Sequence, residues 1–565
     1  MKKKKINIGG VALFDGIMFT SDYRQVTVQK NNDRIKCSVT NFRKDKRIIN
    51  KIPIIRGILG ISSQIGNSSE EFIESSGEKV GKNSTFKTIL LYIFLIVICI
   101  FLPIIISIPF GENIRQLIQI LVVLLEFTFY ISLVKLISEF NVLFMYHGAE
   151  HKAVNAYENL NIEDINIENI KKQSRFHKRC GGNFIVYFIL LTILSVFVPI
   201  NNLLLKSLVM IGLSILNIGI AFEIVTLFSK FRKPFDILNY PATLIQLVTT
   251  KEPTDEMLKI AMYGVLGSGR EKNGITPQEF VKRYVEQNLK GKEYDTQDIY
   301  SILEYVTNID RNRLILQKDN YLISLSQEIE ADRLLNKYYD EKYPLQYLTH
   351  KQYFYNEIYY VDENVLIPRA DSEILVEKAI EYINNEDMKN VIDLCTGSGA
   401  LGISISKNTN IEKMTLIDIS LGAIKVAKRN IQKNGVSDKV TVQISDLLNE
   451  KISEIKDDSE KRVDMIVSNP PYIKTSVINT LQEEVQKEPH LALDGGKNGL
   501  DFYLRIIKEA KEVLRPNGIL IFEIGYDQLS DLKDIIKENE EYNLLESVKD
   551  YGGNDRVVVC RFQGK

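Results

Sequence analysis

The sequence predicts a multidomain protein in which a four-span α-helical membrane domain precedes a cytosolic α/β domain with a mostly parallel sheet. Three observations lead to this prediction. The chain has 565 residues, more than one hydrophobic core supports. Four long apolar stretches occupy its first half, at about residues 88–110, 117–145, 184–200 and 203–229. From Tyr353 onward, segments with strand and helix patterns alternate, which is typical of a parallel sheet.

The four apolar stretches predict a multi-pass protein of the cell membrane. The first is long enough to cross a bilayer, which takes about 20 apolar residues. The segment between the second and third stretches is basic, with Lys152, Lys171, Lys172, Arg175, Lys178 and Arg179. Because cytoplasmic loops are rich in Lys and Arg, the N-terminus, this loop and the C-terminal half are expected in the cytoplasm. The alternative is a buried helical bundle of a soluble protein.

Five segments follow from these patterns. Residues 1–86 form a cytoplasmic N-terminal region with a small β unit, predicted from short alternating runs separated by a polar turn. Residues 87–265 form the membrane domain, and the glycine-rich residues 266–275 form a linker. Thr276, Pro277 and Glu279 carry a capping-box pattern, which predicts that a helical segment, 276–350, begins there. Residues 351–565 form the α/β domain.

Charge and cysteine usage narrow the classes of function. From Lys351 onward there are 28 Lys and Arg residues against 37 Asp and Glu residues, whereas the preceding residues have 43 against 35. The net charge of −9 on the α/β half disfavours a nucleic-acid partner, which usually requires a basic surface. The five cysteines are scattered without CxxC spacing, which suits a reducing cytosol.

A glycine-rich turn predicts a cofactor site. The stretch "NVIDLCTGSGALGISIS" (390–406) has the pattern of a strand, a turn and a helix, in which Gly397 and Gly399 let the backbone approach a ligand. The next strand ends in Asp418, where an acid can accept both ribose hydroxyls of an adenosine. A third strand ends in Asp446, placed for an adenine amino group, with Leu447 covering the ring. Each acid alone could equally cap a helix, and dinucleotide enzymes share such glycine turns.

The tetrapeptide Asn469-Pro470-Pro471-Tyr472 follows another buried strand and predicts a rigid substrate-binding loop. Two adjacent prolines fix the backbone and cannot continue a β-ladder. The Asn469 side-chain oxygen and the Pro470 carbonyl can each accept one N–H of a planar nitrogen, while Tyr472 packs against its plane. Such positioning needs no general base, so these residues are the candidates for catalysis.

This order of motifs resembles the class I S-adenosylmethionine (SAM) methyltransferases. The resemblance implies a Rossmann-like fold with a mostly parallel seven-stranded sheet and SAM as the cofactor. The implied cofactor-binding residues are Cys395, Thr396, Gly397, Ser398, Gly399, Asp418, Asp446, Leu447 and Asn469. Asn469, Pro470, Pro471 and Tyr472 would contact the substrate. The tetrapeptide alone leaves open whether the methylated nitrogen is a glutamine amide or an amino group of adenine or cytosine.

The flanking motifs resemble the release-factor glutamine methyltransferases, the PrmC/HemK family. They are "FYNEIYYVDENVLIPRADSEILVE" (354–377), "EPHLALDGGKNGLDFYLRII" (488–507) and "LIFEIGYDQ" (520–528), and the resemblance spans about residues 275–565. It implies methylation of the glutamine in the Gly-Gly-Gln motif of class 1 peptide chain release factors, with 276–350 as the docking domain and no direct nucleic-acid binding. Ala370 and Ser372 stand where proline and threonine are expected, and Leu447 where an aromatic residue is common.

Three of the five histidines cluster between the second and third apolar stretches. His147, Glu150 and His151 lie in "YHGAEH", and His177 and Cys180 lie in "FHKRCGG". Histidines at i and i+4 share one helix face, so these five residues predict a metal site, zinc most plausibly. A hydrogen-bonded polar loop without metal is the alternative.

Residues 7–265 resemble the YqhQ-like membrane family, a domain of unknown function described as a predicted metal-dependent enzyme. The motifs that carry this resemblance are "IGGVALFDGIMF", "YHGAEHKAVNAYE" and "RCGGNF". It implies a protein in which a membrane half of unknown reaction is fused to a methyltransferase. The membrane half could instead be a scaffold or binding module that carries the enzyme as a passenger.

Overall fold

The computed structural model describes residues 6–32, 34–41, 52–59, 98, 101–200, 202–228, 240–270, 272–316, 321–457 and 459–564. The chain forms two compact units. The N-terminal unit contains residues 1–294 and 312–330, and the C-terminal unit contains residues 295–311 and 331–565.

The N-terminal unit begins with the expected β unit. An antiparallel sheet has the order β1 (Ile8–Ala12), β2 (Gly16–Ser21), β3 (Arg24–Asn31) and β4 (Arg34–Asn41). Alternate residues of β2 and β3, including Ile17, Phe19, Val26 and Val28, are buried in one hydrophobic cluster. Helices α1 to α8 follow: Glu112–Leu136, Glu139–Asn159, Ile167–Lys171, Gly181–Ser195, Leu203–Phe228, Tyr240–Thr249, Asp255–Gly269 and Pro277–Asn288. The sheet packs mainly against α2 and α7.

The apolar stretches coincide only partly with long helices. In the described part of the chain, one helix is long and apolar enough to cross a membrane, Leu204–Phe228, and the apolar helix α4 is shorter. The predicted second span, 117–145, is divided between α1 and α2, because the backbone is extended at Ile137. Most of the first predicted span lies outside the described residues. The four-span topology therefore remains a prediction.

Two charged side chains inside the fourth apolar segment have polar partners, although not each other. Glu223 of α5 forms an ion pair with Arg56, with 2.7 Å between Oε1 and Nε. Lys206, also on α5, donates to Gln119 Oε1 of α1 at 3.3 Å. These contacts satisfy groups that would be costly to leave unpaired in an apolar environment.

The predicted helical segment 276–350 is divided between the two units. Helix α8 begins with the expected capping box: Glu279 N donates to Thr276 Oγ1, and Thr276 N donates to Glu279 Oε2. The buried carboxylate of Glu328 pairs with Arg270 and Arg283, which ties residues 277–294 and 312–330 to the N-terminal unit. The remaining helices of the segment are α9 (Thr296–Thr307), α10 (Arg311–Leu316), α11 (Leu325–Asp340) and α12 (Leu345–Thr349).

The C-terminal unit contains a seven-stranded sheet in the order β12-β13-β11-β10-β7-β8-β9, preceded by the hairpin β5 (Gln352–Phe354) and β6 (Glu357–Tyr359). Its strands are β7 (Asn390–Leu394), β8 (Lys413–Asp418), β9 (Val440–Ile444), β10 (Val463–Ser468), β11 (Leu514–Glu523), β12 (Tyr542–Lys549) and β13 (Asp555–Phe562). Strands β7 to β11 are parallel, and β13 pairs antiparallel with β11 and β12. The mostly parallel sheet of the predicted methyltransferase fold is thus confirmed.

Helices cover both faces of this sheet. They are α13 (Glu373–Glu386), α14 (Ala400–Lys407), α15 (Leu421–Asn434), α16 (Asn449–Asp457), α17 (Asp501–Val513) and α18 (Leu529–Glu538). Val391 and Val467 belong to one hydrophobic cluster, whereas their strand neighbours Ile392 and Ile466 belong to the other. Strands buried on both faces are continuously apolar, so polar side chains are placed where the strands end.

Candidate functional site

The glycine-rich turn joins β7 to α14 in a strained conformation. Cys395, Gly397 and Gly399 all have positive φ, at 57°, 53° and 83°. A Cβ at Gly399 would lie 3.1 Å from both Ile403 and Leu416, so this position packs the helix closely against β8. A Cβ at Gly397 would meet no protein atom within 4 Å. Because Gly397 lines a cavity, its backbone faces open space that a ligand can approach.

Asp393 in β7 holds this turn through two hydrogen bonds. Its Oδ2 accepts hydrogen bonds from Thr396 Oγ1 at 2.6 Å and from the Gly402 backbone at 2.9 Å. Within the described residues, Oδ1 is buried without a hydrogen-bond partner. Burial raises the pKa of Asp393 to about 7, against the effect of those two hydrogen bonds.

Asp418, at the end of β8, holds the turn from the side. Oδ2 accepts from Gly397 N at 2.8 Å and Oδ1 accepts from Ser420 N at 2.9 Å. Burial raises the pKa of Asp418, and these backbone hydrogen bonds oppose that shift. The carboxylate therefore both organises the turn and lines the cavity beside it.

Asp446 and Leu447 follow β9 at the same edge of the sheet. Asp446 is half-exposed, and Arg505 of α17 donates to its Oδ1 at 2.9 Å. Leu447 is buried and has a positive φ of 51°. Both residues line the cavity, where one offers a carboxylate and the other an apolar surface.

The loop after β10 places Asn469 in the cavity wall. Ser468 is in register with Leu394 of β7, so the Asn469 loop and the glycine turn emerge side by side. Asn469 Nδ2 donates to Ser372 Oγ at 3.3 Å. The Tyr472 hydroxyl is directed elsewhere and donates to Glu523 Oε1 at 3.2 Å. Burial and Glu523 raise the pKa of Tyr472, which keeps the hydroxyl protonated.

The cavity has a volume of about 290 Å³ and brings together most of the predicted site. Nine of the residues named from the sequence line it: Cys395, Thr396, Gly397, Ser398, Asp418, Asp446, Leu447, Asn469 and Pro471. Gly399, Pro470 and Tyr472 do not line it; Pro470 is buried, and the Tyr472 hydroxyl is bonded to Glu523.

The N-terminal unit contains a second candidate site, on α2 and before α4. One ring or thiol atom of each of His147, His151 and Cys180 lies within 4.8 Å of the others. His147 Nδ1 is 2.8 Å from the Thr249 carbonyl, and His151 Nδ1 is 2.6 Å from the Arg175 carbonyl. If both Nδ1 atoms carry the proton and donate, each Nε2 is left as a lone-pair donor, as in metal-binding histidines.

Burial sets the protonation of this cluster. It lowers the pKa of both His147 and His151, which favours the neutral imidazoles that metals require. Burial and nearby Glu150 raise the pKa of Cys180 to about 12, whereas a bound cation would favour the thiolate.

The other two predicted ligands lie beside the cluster. Glu150 is buried, with Oε2 3.5 Å from His151 Nε2, and burial raises the pKa of Glu150 to about 8. Gly10 of β1 makes room for it, because a Cβ there would lie 2.4 Å from Glu150 Cγ. His177 Nε2 is 3.5 Å from Glu158 Oε1 instead. The structure therefore groups His147, His151 and Cys180 and leaves Glu150 and His177 at the rim.

Comparison with known proteins identifies the C-terminal half. Release factor glutamine methyltransferase from Clostridium acetobutylicum is 38% identical over 287 residues, covering 50% of this chain and 96% of that relative. The enzyme of the same name from Fusobacterium nucleatum is 35% identical over 320 residues, covering 52% and 88%. The chain belongs to the release factor glutamine methyltransferases.

Two family models match separate parts of the chain. Residues 371–497 match "Methyltransferase small domain", and residues 52–267 match "Protein of unknown function (DUF1385)". Among solved structures, the ribosomal protein L11 methylase from Lactobacillus delbrueckii subsp. bulgaricus is 21% identical with a TM-score of 0.26, covering 34% of this chain and 80% of that one. The resemblance predicted for the C-terminal half is confirmed, and the N-terminal half matches a family without an assigned reaction.

Several cavity residues of the methyltransferase are absent from the predicted set. They are contributed by elements remote from the glycine turn and include Phe354, Asn364, Arg369, Ser372, Leu491, Phe502 and Arg505. Most lie in the flanking stretches that carry the resemblance, "FYNEIYYVDENVLIPRADSEILVE" and "EPHLALDGGKNGLDFYLRII". The spacing of these stretches along the chain does not relate them to β7 or β10. Only their similarity to family motifs could have indicated that they line the cavity.

Proposed function

We propose that the chain transfers a methyl group from SAM to the side-chain amide nitrogen of the glutamine in the Gly-Gly-Gln motif of peptide chain release factors. The observation that carries this proposal is the position of Asn469. Its Nδ2 is engaged by Ser372 Oγ, which leaves Oδ1 as the atom that can accept a hydrogen bond in the cavity. An acceptor held rigidly there suits the N–H of a planar amide.

The residues of the cavity fit SAM. Gly397 presents bare backbone to open space, Asp418 and Asp446 offer carboxylates at neighbouring strand ends, and Leu447 offers an apolar surface. When bound, SAM supplies a sulfonium methyl group, which is already a strong electrophile. In this proposal Asp418 holds the ribose hydroxyls and Asp446 the adenine amino group.

The chain's own contribution is to orient the glutamine amide. Asn469 Oδ1 and the Pro470 carbonyl each accept one amide hydrogen, so that the nitrogen lone pair faces the methyl group. Pro471 stiffens this loop, and Tyr472, fixed by Glu523, supports it. Acceptors that are already in place need no reorganisation during the reaction, which is the main source of rate enhancement in such sites.

Methyl transfer from tritiated SAM to purified release factor tests this function. We expect label in the wild-type release factor and none in a variant whose Gly-Gly-Gln glutamine is replaced by alanine. Bulk RNA and DNA serve as the competing substrates, because methylation of adenine or cytosine amino groups is the rival. Label in nucleic acid alone would overturn the proposal.

Replacing Asp418 with alanine is expected to weaken SAM binding by about 10- to 100-fold, because hydrogen bonds to a charged group contribute about 1.5–3 kcal/mol. The substitution also removes the hydrogen bond that Gly397 N donates to Asp418 Oδ2 at 2.8 Å. Calorimetric titration with SAM measures the change. Asp534→Ala, which removes an exposed acid on α18, is the matched control, and equal affinities in the two variants would remove Asp418 from the cofactor site.

We further propose that the apolar helices within residues 87–265 span the cell membrane, with the N-terminal region 1–86 and the methyltransferase in the cytoplasm. Apolar side chains remain exposed along α1 and α5, including Leu117, Leu121, Leu125, Leu204, Leu208 and Ile215. Exposed apolar surface of this extent suits lipid as a partner. Sodium carbonate extraction of cell membranes tests the proposal, because an integral protein stays in the pellet; release into the supernatant would contradict it.

The cluster His147–His151–Cys180 favours a second function, binding of a zinc ion by the N-terminal unit. Two imidazoles and a thiolate are ligand types that zinc sites use, so these three residues would hold the ion. Buried Glu150, with Oε2 3.5 Å from His151 Nε2, would supply a carboxylate beside them. The zinc content of the purified full-length chain tests this proposal, and a chain that binds no zinc would favour a scaffold role.

A further inference from the structure

The Asn469 carboxamide and a buried glutamate have the same hydroxyl neighbour, Ser372. Its Nδ2 donates to Ser372 Oγ at 3.3 Å. Beside Ser372 lies Glu523, the last residue of β11, which is 2% exposed. The Tyr472 hydroxyl donates to the Oε1 atom of the same glutamate at 3.2 Å. Tyr472 of the Asn-Pro-Pro-Tyr loop is therefore hydrogen-bonded to a carboxylate that does not line the cavity, and Asn469 is hydrogen-bonded to a neighbour of that carboxylate.

The groups that face Glu523 come from several elements. Burial raises its pKa, and Ser372, Arg556 and Tyr472 oppose that shift while Asp371 adds to it. The Tyr503 hydroxyl donates to the backbone carbonyl of Glu523 at 3.0 Å. Within the described residues, Glu523 Oε2 receives no hydrogen bond of regular geometry. The Ser372 hydroxyl is thus a nearby donor for a carboxylate with an unfilled acceptor.

The single proton of Ser372 decides which way the Asn469 amide faces. When that proton is directed to the Glu523 carboxylate, Ser372 Oγ can only accept, so the NH₂ end of Asn469 faces it and Oδ1 stays available to the substrate. A neutral group in place of the carboxylate can donate to Ser372 instead. The serine proton then turns to Asn469, the amide is stabilised in the reversed orientation, and the substrate meets a donor where it needs an acceptor.

We propose that Glu523 is a positioning residue for methyl transfer, which orients the Asn469 amide through the Ser372 hydroxyl and supports the loop through Tyr472. This inference rests on the proposed function, because it assigns a role to Asn469 Oδ1 in that reaction. It adds a side chain, in "LIFEIGYDQ", that lies outside both the glycine turn and the Asn-Pro-Pro-Tyr loop.

The test measures kcat, KM and SAM affinity of the full-length chain with release factor as substrate, across a range of pH. Glu523→Gln keeps the size of the side chain and replaces one acceptor atom by a donor. We expect kcat to fall about 10-fold or more while SAM affinity is unchanged. Wild-type kcat falls as pH decreases and Glu523 is protonated. Glu523→Gln removes this contribution, whereas the contribution of Asp393, whose pKa is about 7, remains.

Two Ser372 variants separate this role from simple stabilisation. Ser372→Ala should resemble Glu523→Gln, and Ser372→Thr, which retains the hydroxyl, should recover part of the kcat that Ser372→Ala loses. The double variant Ser372→Ala, Glu523→Gln should lose little beyond either single variant, because both interrupt the same connection. Wild-type kcat in Glu523→Gln, or additive losses in the double variant, would overturn the inference. If the wild-type chain failed to label release factor at all, the proposed function itself would fail.

Discussion

Asn469→Ala is expected to lower kcat for release-factor methylation by about 100- to 1000-fold, the range seen when a preorganised polar group is removed from an active site. The reason is that Oδ1 is the side-chain acceptor left for the substrate once Ser372 has engaged Nδ2. SAM affinity should change by less than about twofold, since the glycine turn, Asp418 and Asp446 are untouched. Single-turnover kinetics and a SAM titration measure the two quantities.

Asn479→Ala is the matched control for this variant. It removes the same carboxamide from an exposed position ten residues further along the chain, outside the cavity. We expect it to retain wild-type turnover. Near-normal turnover in Asn469→Ala would remove that side chain from the mechanism and leave only the Pro470 carbonyl as an acceptor.

The metal site has the second large expected effect. Replacing His147 or His151 with alanine should lower bound zinc from about one ion per chain to about a tenth or less, because each supplies one ligand of a small set. Both histidines are held by hydrogen bonds from Nδ1 to backbone carbonyls. Metal analysis of the purified full-length variants after dialysis measures the loss, and methyl transfer should be unaffected.

His177→Ala is the informative control, because its Nε2 lies 3.5 Å from Glu158 rather than in the cluster. This variant should keep most of its zinc. Loss of zinc equal to that of His151→Ala would make His177 a ligand and replace the three-residue set. Zinc retained in both His147→Ala and His151→Ala would rule out the cluster as the binding site.

The methyltransferase sheet and its site could largely be predicted from the sequence, because parallel strands place their carboxyl ends at one edge. The glycine turn, Asp418 and Asn469 each lie at the end of a buried apolar strand, and Asp446 follows the partly exposed edge strand β9. The strand pattern therefore predicts that they share one edge of the sheet. The walls contributed by Ser372, Leu491 and Phe502 could not be found in this way. Their positions depend on how loops far apart in the chain fold over the strand ends.

The structure of the N-terminal half could be predicted from the sequence to a much smaller extent. Apolar composition predicts long helices, but the break at Ile137 divides one predicted span. Ser138 and Glu139 are the local sequence signal of a new helix start at that break. The capping-box pattern at Thr276 also predicts a separate helical segment at 276–350, whereas the ion pairs of Glu328 with Arg270 and Arg283 attach part of it to the N-terminal unit. Ion pairs between residues so far apart in the sequence depend on tertiary packing, so the sequence pattern does not predict them.

By itself, the sequence determined the order of strands, turns and acidic strand ends in the C-terminal half, because β periodicity and glycine turns are local properties. It also determined which histidines share a helix face. Only the tertiary structure decided that Cys180 joins His147 and His151 while His177 turns to Glu158. The tertiary structure also decided the partners of Glu523. This buried carboxylate contacts them because β11 packs against the loops before α13 and after β10.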